Sequence, residues 1–257
     1  MTQADRPAIP PAAPRLGAAL AALAVAVLSL AGGTAAARDA GPSPLPAYEH
    51  IAASADGTGV RYMGREIARI MGWQGAAWLE RDERSREERT DLLLPALRLA
   101  PGMTVADIGA GTGYVARRMA ALVGAAGRVD AVDVQPEMVR MLAALAERDG
   151  LPQIRPVLGA ADDVRLAPSS VDVAVMVDVY HELERPFEVL ASIVRALKPG
   201  GRVVFVEYRA EDPAVPIKAL HKMSVAQVKR EAAAHPLELE RVVETLPWQH
   251  VIVFRKR

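Results

Sequence analysis

The stretch Val105-Ala106-Asp107-Ile108-Gly109-Ala110-Gly111-Thr112-Gly113-Tyr114 constrains this chain more than any other. A largely apolar run from Met103 to Ile108 reads as a buried strand. Three glycines at alternate positions then interrupt it, and a helical pattern starts at about Tyr114. A residue without Cβ can turn sharply and let a ligand approach the backbone, while the N–H groups that open the next helix favour an anion. A nucleotide-like ligand is therefore expected at this turn. A dinucleotide fingerprint would need glycine at position 114, where Tyr114 stands, and the Lys and Ser/Thr of a phosphate loop are missing.

An acid two places before the first glycine, followed by G-x-G-x-G, resembles motif I of the class I S-adenosylmethionine-dependent methyltransferases. Four more stretches stand in that family's order. Arg128-Val129-Asp130-Ala131-Val132-Asp133 resembles the second strand with its terminal acid, and Gly159 to Asp172 the loop running into the fourth. Val171 to Val177 resembles that fourth strand, and Leu197-Lys198-Pro199-Gly200-Gly201-Arg202 the turn before the fifth. The resemblance covers about residues 85–257. It implies a Rossmann-like, doubly wound α/β fold with seven strands, mostly parallel, an antiparallel last strand, and S-adenosyl-L-methionine as cofactor. Leu237–Leu246 and His250–Arg255 alternate as that last hairpin would, turning at Pro247-Trp248.

Between these stretches the pattern is β-α-β-α. A helix from Tyr114 to Val123 stops at Gly124, strand 128–133 follows, and a helix opens at Pro136 and runs toward Gly150. Parallel strands joined this way bring their carboxyl ends to one edge. Asp133 lies there, where its two oxygens can accept from ribose hydroxyls or, alternatively, cap the helix at Pro136. The resemblance implies that Asp107 recognises the ammonium of the methionine part and that Gly109, Gly111 and Gly113 line methionine and ribose. Ala110, Val134 and Asp178 are assigned to the same cofactor site. Family members often carry G-D-A after the third strand, the aspartate accepting from the adenine amine, whereas here that position is Ala160. Asp162 and Asp163 are the substitutes along the chain, with the backbone at Ala161 for the ring nitrogen; Asp163 is also suited to local turn structure.

Acceptor chemistry is expected after strand four, at Asp178-Val179-Tyr180-His181-Glu182. Methyl transfer is an in-line displacement at a sulfonium, so the enzyme must position the acceptor and, for an O–H, N–H or acidic C–H, remove a proton. An imidazole suits that task, so His181 is the candidate base, Glu182 its substitute or orienter, and Tyr180 a wall of the pocket. The competing reading has His181 and Glu182 cap the helix at Pro186. A metal site from Asp178, His181 and Glu182 is conceivable by residue type, but their close spacing without a second cluster speaks against it, and no metal is assigned. Glu207-Tyr208-Arg209 ends strand five on the same edge, and Asp212–Met223 is long enough for a connection to cover the acceptor pocket.

Thirty-one basic and 31 acidic residues cancel, so the overall charge does not suggest nucleic acid, and the partner is expected to be a small-molecule acceptor. The absence of cysteine excludes disulfides, thiolate metal sites, lipoprotein processing and thiolate-dependent arsenic methylation. Two other functions fit parts of the chain. A protein-modifying enzyme of the isoaspartyl type shares a similar Gly127-Arg128-Val129 turn, but its serine-containing substrate loop is not evident. A non-catalytic binding module would account for Ala160 and an export signal.

The uncharged run Leu16–Ala37, 22 residues long, follows Arg6 and Arg15 and ends Ala35-Ala36-Ala37 before Arg38. It reads as a secretory signal within residues 1–37, as an uncleaved anchor that associates the protein with a membrane, or as the product of a misassigned start. In the first two cases the positive-inside rule places the bulk of the chain outside the cytoplasm, in a periplasm; in the third the protein is cytoplasmic. Residues 38–58 read as a linker and 59–84 as a helical extension, with Ile67, Ile70 and Met71 on one face. The charge run Glu80–Arg89 is expected as a solvated helix with Glu80–Arg84 and Asp82–Arg86 pairs, and Ser85–Glu88 as a capping box. The helix would continue toward Leu99 with a kink at Pro95.

Overall fold

A computed structural model describes residues 47–257; the run Leu16–Ala37, with the signal or anchor expected of it, lies outside the described residues. No helix among the described residues is long and apolar enough to cross a membrane. Where a linker and a helical extension were expected, the chain forms an antiparallel three-stranded sheet of β1 (Tyr48–His50), β2 (Gly57–Tyr62) and β3 (Arg65–Ala68). The cause is Met63-Gly64. Both residues have positive φ, 47° and 95°, and Tyr62 pairs with Arg65 across them, which is a two-residue hairpin matched to strand twist. The supposed helical face is thereby split: Ile67 is buried in β3, while Ile70 and Met71 follow the strand. Helix appears only at a 3-10 turn, Trp73–Gly75, and at α1 (Ala76–Leu79).

The charge run also departs from expectation. It contributes α2 (Arg84–Glu88), and a left-handed Arg89 with φ 48° separates this from α3 (Thr90–Leu97). Arg84 and Glu88 are buried and bonded to each other at 2.8 Å instead of facing solvent. Glu80 turns away to Arg117, and no side chain caps α2, so the capping box is not formed. Pro95 sits in the closing part of α3, where its missing N–H removes one helical bond, and the chain breaks at Arg89 instead.

From β4 (Thr104–Ile108) strands and helices alternate: α4 (Tyr114–Val123), β5 (Arg128–Asp133), α5 (Pro136–Arg148), β6 (Ile154–Leu158) and β7 (Val171–Val177). There follow α6 (Pro186–Ala196), β8 (Leu197–Tyr208), α7 (Val225–Ala232), β9 (Leu237–Val243) and β10 (Gln249–Lys256). The sheet order is β6-β5-β4-β7-β8-β10-β9, with β10 antiparallel to both neighbours, as the resemblance implied. Pro199-Gly200-Gly201, read as a turn, forms an irregularity within the long strand β8, where Gly200 takes φ 71° and the register with β7 jumps from Val171–Leu197 to Val173–Arg202.

Successive strand residues point to opposite faces, so a strand buried on both sides must be apolar throughout. Ala106, Ile108, Ala174, Met176 and Phe205 pack against α6 and α7, whereas Val105, Ala131, Val173, Val175 and Val204 pack under α3, α4 and α5. Fully burying a side chain such as Met119 or Leu190 is worth about 1.5–3 kcal/mol, and these residues hold the helices down. Register then sets the working edge. Ile108 pairs with Val132 and Met176, and Val177 with Val206, so Gly109, Asp133, Asp178 and Glu207 all emerge at the carboxyl ends.

Candidate active site

A cavity of about 650 Å³ opens at this edge. One wall is the glycine turn. Gly109 and Ala110 both donate to the carbonyl of Val132, at 2.8 and 3.0 Å, which bends the chain off the end of β4. Gly109 has φ 72°, and a Cβ there would stand 2.3 Å from Cγ2 of Val179, so only glycine fits. Ile70, Met71, Trp78 and Leu79 from the segment after β3 also line the cavity, which makes that segment a cover over the site. It is tied down where Trp73 N–H donates to Gln135 at 2.8 Å and Gln135 donates to the carbonyl of Met71 at 3.0 Å.

Asp107 is 2% exposed and lines the cavity, and its Oδ2 has no hydrogen-bond partner. Burial pushes its carboxyl up to about 7, against the pull of the Arg84 guanidinium and the Ala116 N–H. A buried carboxylate oxygen without a donor is a fitting partner for a ligand ammonium. Arg84, in the same wall and stacked 4.2 Å over the Tyr114 ring, supplies the opposite charge. Asp133 also lines the cavity. Its Oδ2 accepts from Gly111 N–H and its Oδ1 from Gln135 N–H, each at 2.9 Å, so it holds the glycine turn while keeping a lone pair on each oxygen. Burial raises its carboxyl and those N–H groups oppose the rise. Val134 is 40% exposed and lines the cavity, an apolar face beside the two acids.

The loop after β6 meets the expectations in part. Gly159, Ala160 and Ala161 line the cavity. Asp162 is exposed and is not in its wall, and Asp163 is occupied by Arg195 at 2.8 Å and by Arg165 N–H at 2.7 Å, the local turn role. Neither carboxylate is brought to the cofactor side of the cavity.

Beyond β7 the chain makes a 3-10 turn, Tyr180–Glu182. Tyr180, expected as a pocket wall, is 1% exposed and packs edge-on to Phe205 with centroids 4.8 Å apart; the turn sends it into the core and His181 to the cavity. No side chain caps α6, whose N-cap is Arg185, so the capping reading of His181 and Glu182 does not hold. His181 Nδ1 lies 2.6 Å from Oε2 of the fully buried Glu207, whose Oε1 accepts from Tyr180 N–H at 2.9 Å. A carboxylate at Nδ1 favours the tautomer protonated there, in which Nε2 carries the lone pair. That lone pair faces His221 Nδ1 at 3.2 Å and Glu182 Oε1 at 3.8 Å. Asp178, at φ 52°, lines the cavity beside them, with one oxygen on Gln249 at 3.0 Å and the other unpartnered. Burial and the nearby Glu88 and Glu207 raise its carboxyl well above the usual range. Tyr208 lines the same end, its hydroxyl also raised by burial.

Pro216, Ile217, Lys218 and His221 line the cavity, so the connection after β8 does cover the site. Sequence reasoning passed over Arg84 and His221 as site residues. The i,i+4 spacing of Arg84 and Glu88 was visible, but nothing in it distinguishes a buried pair from a surface one. His221 stands 40 residues from His181, and the long connection was the only hint of it.

The family described as "Methyltransferase domain" matches residues 105–201. An uncharacterized methyltransferase of Mycobacterium tuberculosis is 37% identical over 119 residues, 46% of this chain and 44% of that protein. A ubiquinone/menaquinone biosynthesis C-methyltransferase of Idiomarina loihiensis is 31% identical over 108 residues, 42% of this chain and 43% of its own. The chain thus aligns with less than half the length of these relatives. The crystal structure of a SAM-dependent methyltransferase from Aquifex aeolicus shares the fold, with a TM-score of 0.69 at 23% identity, over 73% of this chain and 100% of that one.

Proposed function

We propose that this chain is a class I S-adenosylmethionine-dependent methyltransferase and that it methylates a small-molecule acceptor by in-line displacement. Bound S-adenosylmethionine supplies a methyl group activated on a sulfonium sulfur. Asp107 offers its unpartnered oxygen to the donor's ammonium, Arg84 faces the donor's carboxylate, and Asp133 accepts from the ribose hydroxyls through its remaining lone pairs. Gly109, Ala110 and Gly111 let the donor lie against the backbone, with Val134 and Ala161 toward the base. The observation that carries the reading is that His181, backed at Nδ1 by Glu207 at 2.6 Å, stands in the wall of the very cavity that Asp107 and Asp133 line. An imidazole in the tautomer that Glu207 favours can take the acceptor's proton while the apolar cover keeps water out. The small size and apolar walls of the cavity favour a compact acceptor over a protein one.

The test is a pair of variants. Asp133→Ala should weaken S-adenosylhomocysteine binding by about tenfold or more, since hydrogen bonds to a charged group contribute about 1.5–3 kcal/mol. His181→Ala should leave donor affinity within about threefold and lower turnover on the order of 10²-fold. Unchanged calorimetric affinity in the first would remove Asp133 from the donor site. Near-normal turnover per folded molecule in the second would remove His181 from the chemistry. A small molecule carried through purification, identified by mass spectrometry, names the acceptor.

A further inference from the structure

Three ligand-capable atoms converge at the acceptor end of the cavity: Nε2 of His181, Oε1 of Glu182 and Nδ1 of His221. Their separations are 3.2 Å for the two nitrogens, 3.2 Å from His221 to Glu182 and 3.8 Å from His181 to Glu182. Ligands placed tetrahedrally at about 2.0–2.1 Å from a zinc ion stand about 3.4 Å apart, which is near the mean of these three separations. With its Nδ1 turned to Glu207, His181 presents Nε2 to the other two ligand atoms. A cation at the centre satisfies all three.

The surroundings are those of a ligand set. Glu207 backs His181, fixing the tautomer and ring as carboxylates do behind metal-bound histidines. Glu182 Oε2 accepts from Met71 N–H at 3.2 Å, which turns Oε1 toward the histidines. His181 is 2% exposed, while the His221 side chain, at 21%, leaves an approach.

We infer that His181, Glu182 and His221 bind one divalent transition metal ion, zinc by donor type and spacing, whose open position in the cavity takes an ionisable acceptor oxygen such as a phenol or enol. This rests on the methyltransferase reading and specifies its acceptor. On coordination the acceptor hydroxyl loses its proton to solvent. An oxygen lone pair then forms the bond to the methyl carbon as the carbon–sulfur bond breaks, and sulfur keeps that pair. The products are a methyl ether and S-adenosylhomocysteine, with the metal's oxidation state unchanged. In the loaded protein the ion, and not the His181 lone pair, acidifies the acceptor.

The experiment uses tag-free full-length protein loaded with Zn²⁺ or Co²⁺, dialysed, and assayed for metal content and Co²⁺ visible absorption. One ion per chain with the intense visible bands of four-coordinate cobalt is expected. His221→Ala and Glu182→Gln should abolish stoichiometric retention, and Glu207→Gln should weaken affinity by about 10–100-fold, with melting temperature recording that each variant is folded. No retained ion in the parent protein, or equal retention in His221→Ala, overturns the site. Calorimetry with S-adenosylhomocysteine on the same samples reads the premise separately. Donor binding without metal uptake would remove the ion alone, and metal uptake without donor binding would keep the ion and remove methyl transfer.

Discussion

At the scale of single residues, Asp107 makes the sharpest statement. Its carboxyl, raised by burial to about 7 in the donor-free protein, must be ionised to pair with an ammonium. Below that value binding has to expel a proton, so affinity for S-adenosylhomocysteine should fall about tenfold between pH 8 and pH 6 and level off above. Asp107→Asn should bind weakly at both and lose the dependence. A flat calorimetric profile in the parent protein would show that Asp107 does not meet the ammonium. The sign for folding is opposite to that of a salt-bridged acid. The folded value lies above the ordinary 3.8, so the native state holds the proton more tightly and this group's contribution to stability declines from about pH 4 to about pH 7. Asp107 and Asp133 were legible in sequence because each is an acid at or one residue before the end of an apolar strand. Tyr180 was misplaced because neighbouring residues of a 3-10 turn point in different directions, and only packing against Phe205 decides which of them goes inward.

At the scale of elements, β1–β3 do more than cover the domain. Arg65 reaches from β3 into the interior, pairs with both oxygens of Glu231 on α7 at 2.6 and 3.1 Å, and donates to the carbonyl of His181 at 3.1 Å. One guanidinium therefore joins the hairpin, α7 and the turn that carries His181. Glu231 is fully buried, so Arg65→Met should cost about 3–5 kcal/mol by leaving that charge unpaired. The double variant Arg65→Met with Glu231→Leu should recover most of the loss. Denaturant titration of the three proteins decides it; a single-variant loss under about 1 kcal/mol would mean that the clamp is not structural. This sheet was misread as helix because Ile67, Ile70 and Met71 satisfy a helical period. The Met63-Gly64 turn that overrides the period carries only one glycine to announce it.

At the scale of the whole molecule, we propose export, on the strength of Arg6 and Arg15 standing before the uncharged run Leu16–Ala37. Edman or mass analysis should find a mature chain starting at about Arg38 in a periplasmic fraction if the run is cleaved, or full-length protein with the membranes if it is an anchor. Soluble cytosolic protein that retains Met1 would refute both.

The sequence by itself determined the apolar strands, the glycine turn and the acids Asp107 and Asp133 beside it, because these depend on local chemistry: apolar runs long enough for buried strands and glycines where φ must be positive; the order of the strands in the sheet came only with the tertiary structure. Tertiary structure decided how the other end of the cavity is assembled, with Glu207 at Nδ1 of His181 and His221 at its Nε2. His181, Glu182, Glu207 and His221 come from three segments, and what unites them is the parallel register of β7 and β8 together with the return of the chain after β8. A period of two or of 3.6 residues carries no information about which distant side chains share a cavity, nor about whether an Arg–Glu spacing such as 84 to 88 lies on the surface or within it.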